Sequence, residues 1–291
     1  MMLSTRPLSA WQALWLGLFQ SLRHWRVLLL WWLAGILPAA WLGGRIAQAA
    51  NQIFAHHPDA ARIITEPDLA ALADAWLAHD PIIAQLRTGL VPPLLLIALI
   101  APWAAAIVVA SLRADTPPGF VALIRGGLRG YFCQLRLYLL LAPALAMALG
   151  LSLLVLALVE VGTMQVTVYQ DILPWRHAAW AFIALLLLPT LGSLEAARAA
   201  LANDPNQTSA LLATAQGWRL VFRRFPAWLC ITLLTLGAGL FVSLALHGSA
   251  SGTSPWWALA FAQASVLTIG WSRLARLHAL QRLLPKPDSG R

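Results

Sequence analysis

The sequence predicts an all-α polytopic membrane protein, with six transmembrane helices, amphipathic interfacial helices and both termini in the cytoplasm. Three observations lead there. The 291-residue chain is 60% hydrophobic and only 11% charged, against about 25% charged in an ordinary soluble domain. It lacks the charge to cover a water-facing surface of its size, and its mean hydropathy of +0.72 agrees. Six runs approach the ~20 apolar residues that a spanning helix needs. Finally, sixteen of the twenty basic residues fall in alternate connections, the asymmetry that sets orientation under the positive-inside rule.

The runs lie at about 27–44, 89–112, 137–159, 177–194, 226–246 and 255–272, within a single integral membrane domain over 1–291. Inside lipid each backbone group must be satisfied by the chain itself, so each run is a helix or part of a closed barrel. Their unbroken apolarity excludes the alternation of a barrel strand. Ahead of the first span, Leu8, Trp11, Trp15, Leu18 and Leu22 recur every three or four residues, with Gln12, Gln20 and Arg23 elsewhere. That period predicts a helix lying in the headgroup plane, its apolar stripe facing the membrane. With one arginine before an apolar stretch broken by two glutamines, and no small-x-small site, this segment is expected to be retained.

Segment 45–88 is expected outside the membrane. It is polar for this chain and carries Asp59, Glu66, Asp68, Asp74 and Asp80. "EPDLAALADAWLAHDP" within it predicts a short amphipathic helix, with Leu69, Leu72, Trp76 and Leu77 in one stripe. The last outer connection, "GSASGTS", is short and uncharged.

With the N-terminus inside, the cytoplasmic segments hold Arg6, Arg23, Arg26, Arg113, Arg125, Arg129, Arg136, Arg198, Arg219, Arg223, Arg224, Arg273, Arg276, Arg282, Lys286 and Arg291. Three of these segments read alike: "LRHWRVLLL", "LRGYFCQLRLYLLL" and "WRLVFRRFPAWL" each run from arginines and aromatics into an odd-numbered span. Two have an Asp-Pro or Asp-Thr-Pro-Pro turn upstream. At a spacing of about 90 residues, the chain reads as three copies of one unit: an interfacial helix, a span out and a span back.

Arginines beside an anionic leaflet each gain about 1 kcal/mol. Arg23, Arg26, Arg129, Arg136, Arg219, Arg223 and Arg224 therefore form the candidate lipid-interface collar. Small residues predict the helix seams: Ala142, Ala146 and Gly150 in the third span; Thr232, Thr235, Gly239 and Ser243 in the fifth; Ser265, Thr268 and Ser272 in the sixth. Glu195 and Arg198 are spaced for a contact along one helix. Pro38, Pro102, Pro143 and Pro189 are expected to kink their spans.

Chemistry is sparse. His56, His57, His79 and Asp80 match no metal-ligand spacing, so no metal site is expected. Cys133 and Cys230 are expected to be reduced thiols. No phosphate loop or nucleophile elbow is present. No catalytic residue, no cofactor and no nucleic-acid partner is expected, and the chain does not read as an enzyme. No charge lies at mid-membrane depth, where an ion path would need one.

The unit of interfacial helix plus hairpin, carried by "LRHWR", "LRGYF" and "WRLVFRRF" with the Asp-Pro turns, resembles a loose group of uncharacterised bacterial six-span inner-membrane proteins. It is also similar to the membrane domain attached to some glycerophosphodiester phosphodiesterases. The resemblance implies a bacterial inner-membrane location over nearly the whole chain. It brings no catalytic residue, because the phosphodiesterase chemistry sits in a separate soluble domain. The expected role is structural or accessory: contact with the phospholipid bilayer, with anionic headgroups and with a membrane-protein partner. The alternative is a transporter or carrier of a lipid or other apolar substrate.

Overall fold

The computed structural model describes residues 9–54, 80–114, 116–163, 169–204, 207–250 and 254–284. The described chain is all α, without strands. Its eight helices are α1 (Ala10–Arg23), α2 (Trp25–Phe54), α3 (Asp80–Arg113), α4 (Phe120–Thr163), α5 (Tyr169–Asn203), α6 (Ala210–Arg223), α7 (Phe225–Ala250) and α8 (Pro255–Leu283). Five of them are long and apolar enough to cross a membrane: α2, α4, α7 and most of α3 and α5. α8 has the length, at 29 residues. It falls short in apolarity because Pro255, Trp256, Trp257 and Gln263 dilute its first half, and Trp271 and arginines occupy its second.

The helices overrun the apolar windows. α2 continues to Phe54 and α3 starts at Asp80, so segment 45–88 is helical at both its ends. Polar residues do not stop a helix once it leaves the hydrocarbon, which is why hydropathy ended α2 too early and began α3 too late. Residues 55–79, with the expected external helix and three of the four candidate metal ligands, lie outside the described residues.

The chain divides into two compact units, one of residues 1–29 with 105–291 and one of residues 30–104. In the second, the α2–α3 hairpin buries Ala49, Ile53, Ile83 and Leu86, and the stem of Arg45 lies against Gly89, 3.5 Å from where a Cβ would be.

The first unit holds the order of its repeats. α1 and α6 share one design. Both are 14 residues long and N-capped by serine, Ser9 and Ser209, whose hydroxyls accept from Gln12 and Leu212 N–H. Both bury Ala13 or Ala213 completely. Both end at an arginine, followed by a one-residue break at His24 or Arg224 and then the next helix. At Arg224 the break is reinforced by Pro226, whose missing N–H leaves no bond for the preceding turn. The middle copy differs. No break separates its basic segment from its span: α4 is one helix of 44 residues, about 66 Å at ~1.5 Å per residue. The expected separate interfacial helix before span three is thus the extended first third of α4. Gly126, Gly127 and Gly130 are carried without a break because nothing there removes an N–H.

Glycines set how these opening segments pack. A Cβ on Gly17 of α1 would lie 2.6 Å from the Ala275 carbonyl of α8. One on Gly217 of α6 would lie 2.5 Å from the Ser193 carbonyl of α5. On α4, Gly126 and Gly130 meet Ala110 and Ala106 of α3, at 2.6 and 3.0 Å from a built Cβ. Each opening segment therefore packs on the returning helix of the copy before it, and the first packs on the returning helix of the last. The three contacts close a cycle. Side chains stitch the same ends: Gln281 donates to the Leu112 carbonyl at 3.2 Å, and Arg113 donates twice to the Leu201 carbonyl at 3.0 and 2.8 Å. These carbonyls sit in last turns, where helices leave acceptors without partners.

Two apolar clusters fill the unit. One joins Ala13 and Leu14 of α1 to Ala196 and Ala199 of α5, Leu220 and Val221 of α6, Trp228 and Ile231 of α7, and Ala279, Leu280 and Leu283 of α8. The other joins Val109 and Leu112 of α3 to Leu137 and Leu141 of α4, Leu194, Ala197 and Leu201 of α5, Ala213 of α6 and Leu277 of α8. Trp228 is fully buried, its indole over Gly192, where a Cβ would come within 2.8 Å of Nε1.

The expected seams divide. Thr232, Thr235 and Gly239 of α7 and Ser265 and Ser272 of α8 are buried, and a Cβ on Gly239 would lie 2.7 Å from Ser272 Oγ. The third-span stripe is not a seam. Ala142, Ala146 and Gly150 are exposed, with nothing within 4 Å of a Cβ on Gly150. α4 buries Leu137, Leu141, Ala148 and Ser152 instead. On α1 the expected stripe of Trp11, Trp15 and Leu22 points away from the protein, and Ala13, Gly17 and Ser21 form the packed side, which the apolar period did not reveal.

Candidate functional site: a buried ion network and a basic end

Glu195 organises the polar interior. α5 carries it into a run of alanines, "EAARAAL", whose small side chains bring neighbouring helices close. Its carboxylate takes two hydrogen bonds from Arg276 of α8, one from Nε and one from Nη2 at 2.8 Å. Arg273 Nε is 3.4 Å away. Arg276 also donates to Thr235 Oγ1 of α7 at 3.4 Å. A bidentate arginine–carboxylate pair holds geometry as well as charge, and here it ties α5, α7 and α8 together. The expected contact between Glu195 and Arg198 along one helix gives way to this tie. A partner on another helix offers a fork aimed at both carboxylate oxygens.

Arg198 is 1% exposed. Its Nε donates to Gln134 Oε1 at 3.3 Å, and its guanidinium lies 4.9 Å from the Tyr138 ring centre. Its two terminal nitrogens are buried without hydrogen-bond partners. Sequence reasoning counted Arg198 and Arg276 among the topology-setting charges; the structure uses both internally. The alanine run around Arg198 was the available signal, since a charge among alanines faces a close neighbour.

The collar residues are arranged as surface charge. Arg23, Arg129, Arg136, Arg219 and Arg223 are exposed, and Arg26 and Arg224 are half-buried. None of the seven pairs with a described carboxylate. Arg26 donates to the Pro118 carbonyl at 3.4 Å and stands 5.6 and 5.9 Å from the ring centres of Trp25 and Phe120, within cation–π range. Exposed aromatics stand among them: Trp15 and Phe19 on α1, Phe132 on α4, Phe222 on α6.

Two cavities open at helix ends in the first unit. One, of about 310 Å³, includes Arg113, Arg129, Cys133, Gln134, Gln207 and Thr208 in its wall. The other, of about 330 Å³, includes Arg23, His24, Asn203, His278, Gln281 and Arg282. Here the His24 and His278 rings lie 5.0 Å apart, tilted by 50°. Burial, with the Arg23 guanidinium beside it, lowers the His24 pKa. Burial, with His24 and Arg282 close by, pushes His278 down to about 3. Both imidazoles are neutral at pH 7. Cys133 and Cys230 are free thiols. Among the described residues no three histidine, cysteine or carboxylate groups gather as a metal site. An exposed ion pair, Arg176 to Glu160 at 3.0 Å, joins α4 and α5 at their other ends.

Over the described residues the chain is all α, with five helices long and apolar enough to cross a membrane. No family model, no curated protein and no solved structure matches it.

Proposed function

We propose that the chain is a six-span inner-membrane protein with both termini in the cytoplasm and a structural or accessory role: its basic collar holds anionic phospholipid and its helices serve a membrane-protein partner. The observation that carries this reading is the collar itself. Seven arginines without a described carboxylate stand among outward-facing aromatics, the pairing that suits a headgroup layer over acyl chains. The sixth span is the uncharged first half of α8, 255–272. α1 and α6 lie in the headgroup plane, their outward Trp11, Trp15, Leu212 and Phe222 in the acyl boundary. The alternative of a carrier for a lipid or apolar substrate gains less support, because both described cavities open at helix ends and the interior is packed by alanine, glycine and one ion network. We read the chain as a non-enzyme.

Changing Arg219, Arg223 and Arg224 together to Gln tests the collar. Native mass spectrometry should show less co-purified anionic lipid, with zwitterionic lipid unchanged. Equal retention of anionic lipid by the triple variant refutes the collar. Reporter fusions at Asp74 and at Asp204 test the topology, with Asp74 outside and Asp204 inside.

A further inference from the structure

The cavity beside the histidine pair has a composition that the collar does not explain. Its wall comes from four parts of the first unit: Gln20, Arg23 and His24 at the end of α1; Leu112, Ala114 and Pro117 after the return of the first copy; Asn203 at the end of α5; and His278, Gln281, Arg282 and Leu284 at the end of α8. It thus collects the ends of the returning helices of all three copies. No carboxylate is among these residues. His24 and His278 are 8% and 4% exposed, and each has a ring nitrogen shut away without a hydrogen-bond partner. A polar wall of two guanidiniums, two imidazoles and three carboxamides is rich in donors. The last carbonyls of α3 do not cancel that character, because Gln281 already caps Leu112.

We propose that this pocket binds the phosphate group of an anionic ligand, either a phosphomonoester lipid headgroup or free phosphate. Arg23 and Arg282 supply the charge, from α1 and α8. His24 and His278 close the inner wall between them. Phosphate accepts in several directions at once, which suits guanidinium and imidazole donors converging from different helices. Among the described residues, the charged groups facing the two imidazoles are Arg23 and Arg282. A bound anion favours protonation of the imidazoles, while the phosphate gives up its second charge as pH falls through about 6, so the two effects oppose each other. The site goes beyond the collar, with which it shares only Arg23.

The test uses the full chain in neutral detergent at constant ionic strength. Inorganic phosphate at pH 8, where it is a dianion, should raise the melting temperature. Arg282→Gln, at the partly exposed rim, should weaken phosphate at least tenfold. In nanodiscs containing phosphatidic acid or only phosphatidylcholine, native mass spectrometry reads the lipid source: retained phosphatidic acid lost in Arg282→Gln assigns the site to a headgroup, and a phosphate shift alone assigns it to a soluble ligand. The triple change Arg219, Arg223 and Arg224 to Gln should leave the site intact, so failure of the collar and failure of the pocket are separable. Unchanged affinity in Arg282→Gln, or no response to either probe, overturns the proposal.

Discussion

The packed end of the first unit and the middle of α4 carry the same sequence signature and behave in opposite ways. Ala13 with Gly17 and Ala213 with Gly217 are small residues four apart, and each pair is pressed against another helix. Ala142, Ala146 and Gly150 are also small residues four apart, and they stand exposed. Without water there is no hydrophobic force to hide large apolar side chains, so Trp15 and Leu153 stay outside. A small residue then marks a seam only where a second helix presents its own small residue or bare backbone. Ala275 and Ala279 do so for Gly17, and Ser193 and Ala197 for Gly217.

That comparison can be broken by substitution. The largest effect is expected in the polar tie of the packed end. Glu195→Gln or Arg276→Gln leaves its partner charge buried, and loss of one member of such a pair costs about 3–5 kcal/mol; a melting temperature in detergent within a degree or two of the parent would show that the pair is dispensable. Next come Gly17→Ala and Gly217→Ala. A methyl group driven against a carbonyl costs about 1–3 kcal/mol. The two changes should cost alike, because both glycines meet backbone. Gly126→Ala meets only the Ala110 methyl group, so Ala110→Gly should rescue it, as measured by unfolding in the single and double variants.

The histidine pair gives a pH-dependent effect at the same end. The unfolded histidines titrate near ~6.5, whereas His24 is lowered in the fold and His278 lies at about 3. Between these values the unfolded chain holds more protons. The contribution is therefore complete above pH 6.5 and is lost as pH falls toward 3. Thermal unfolding between pH 7.5 and 4.5 should show the decline, with a shallower slope in His278→Asn. The smallest effect is expected at the exposed stripe: Gly150→Leu should change stability by no more than about 0.5 kcal/mol, since open space surrounds it. A large loss there would mean that another surface covers α4.

Much of the helical order was legible in the sequence. Five of the six apolar runs became helices fit to cross a membrane, and the α7–α8 seam emerged from its Thr, Gly and Ser spacing. The repeat was visible through its arginines and aromatics. Its caps, Ser9 and Ser209, and the close approaches at Gly17 and Gly217 were not, because a single serine or glycine has meaning only beside the helix it meets. The site was less legible. Glu195 and Arg198 drew notice as neighbours in sequence, yet Glu195 bonds 81 residues away to Arg276, and Arg198 reaches Gln134 at a separation of 64. His24 and His278 lie near opposite ends of the chain and meet only because α1 closes the cycle on α8.

The central claim is that small residues face protein and large apolar residues face lipid at the packed end. Photolabelling native membranes with a lipid-soluble carbene reagent, followed by residue-level mass spectrometry, tests it on one helix. The account predicts labels at Trp11, Trp15, Phe19 and Leu22, and none at Ala13, Gly17 or Ser21. Labels on the Ala13–Gly17–Ser21 face, with the tryptophans protected, would contradict it.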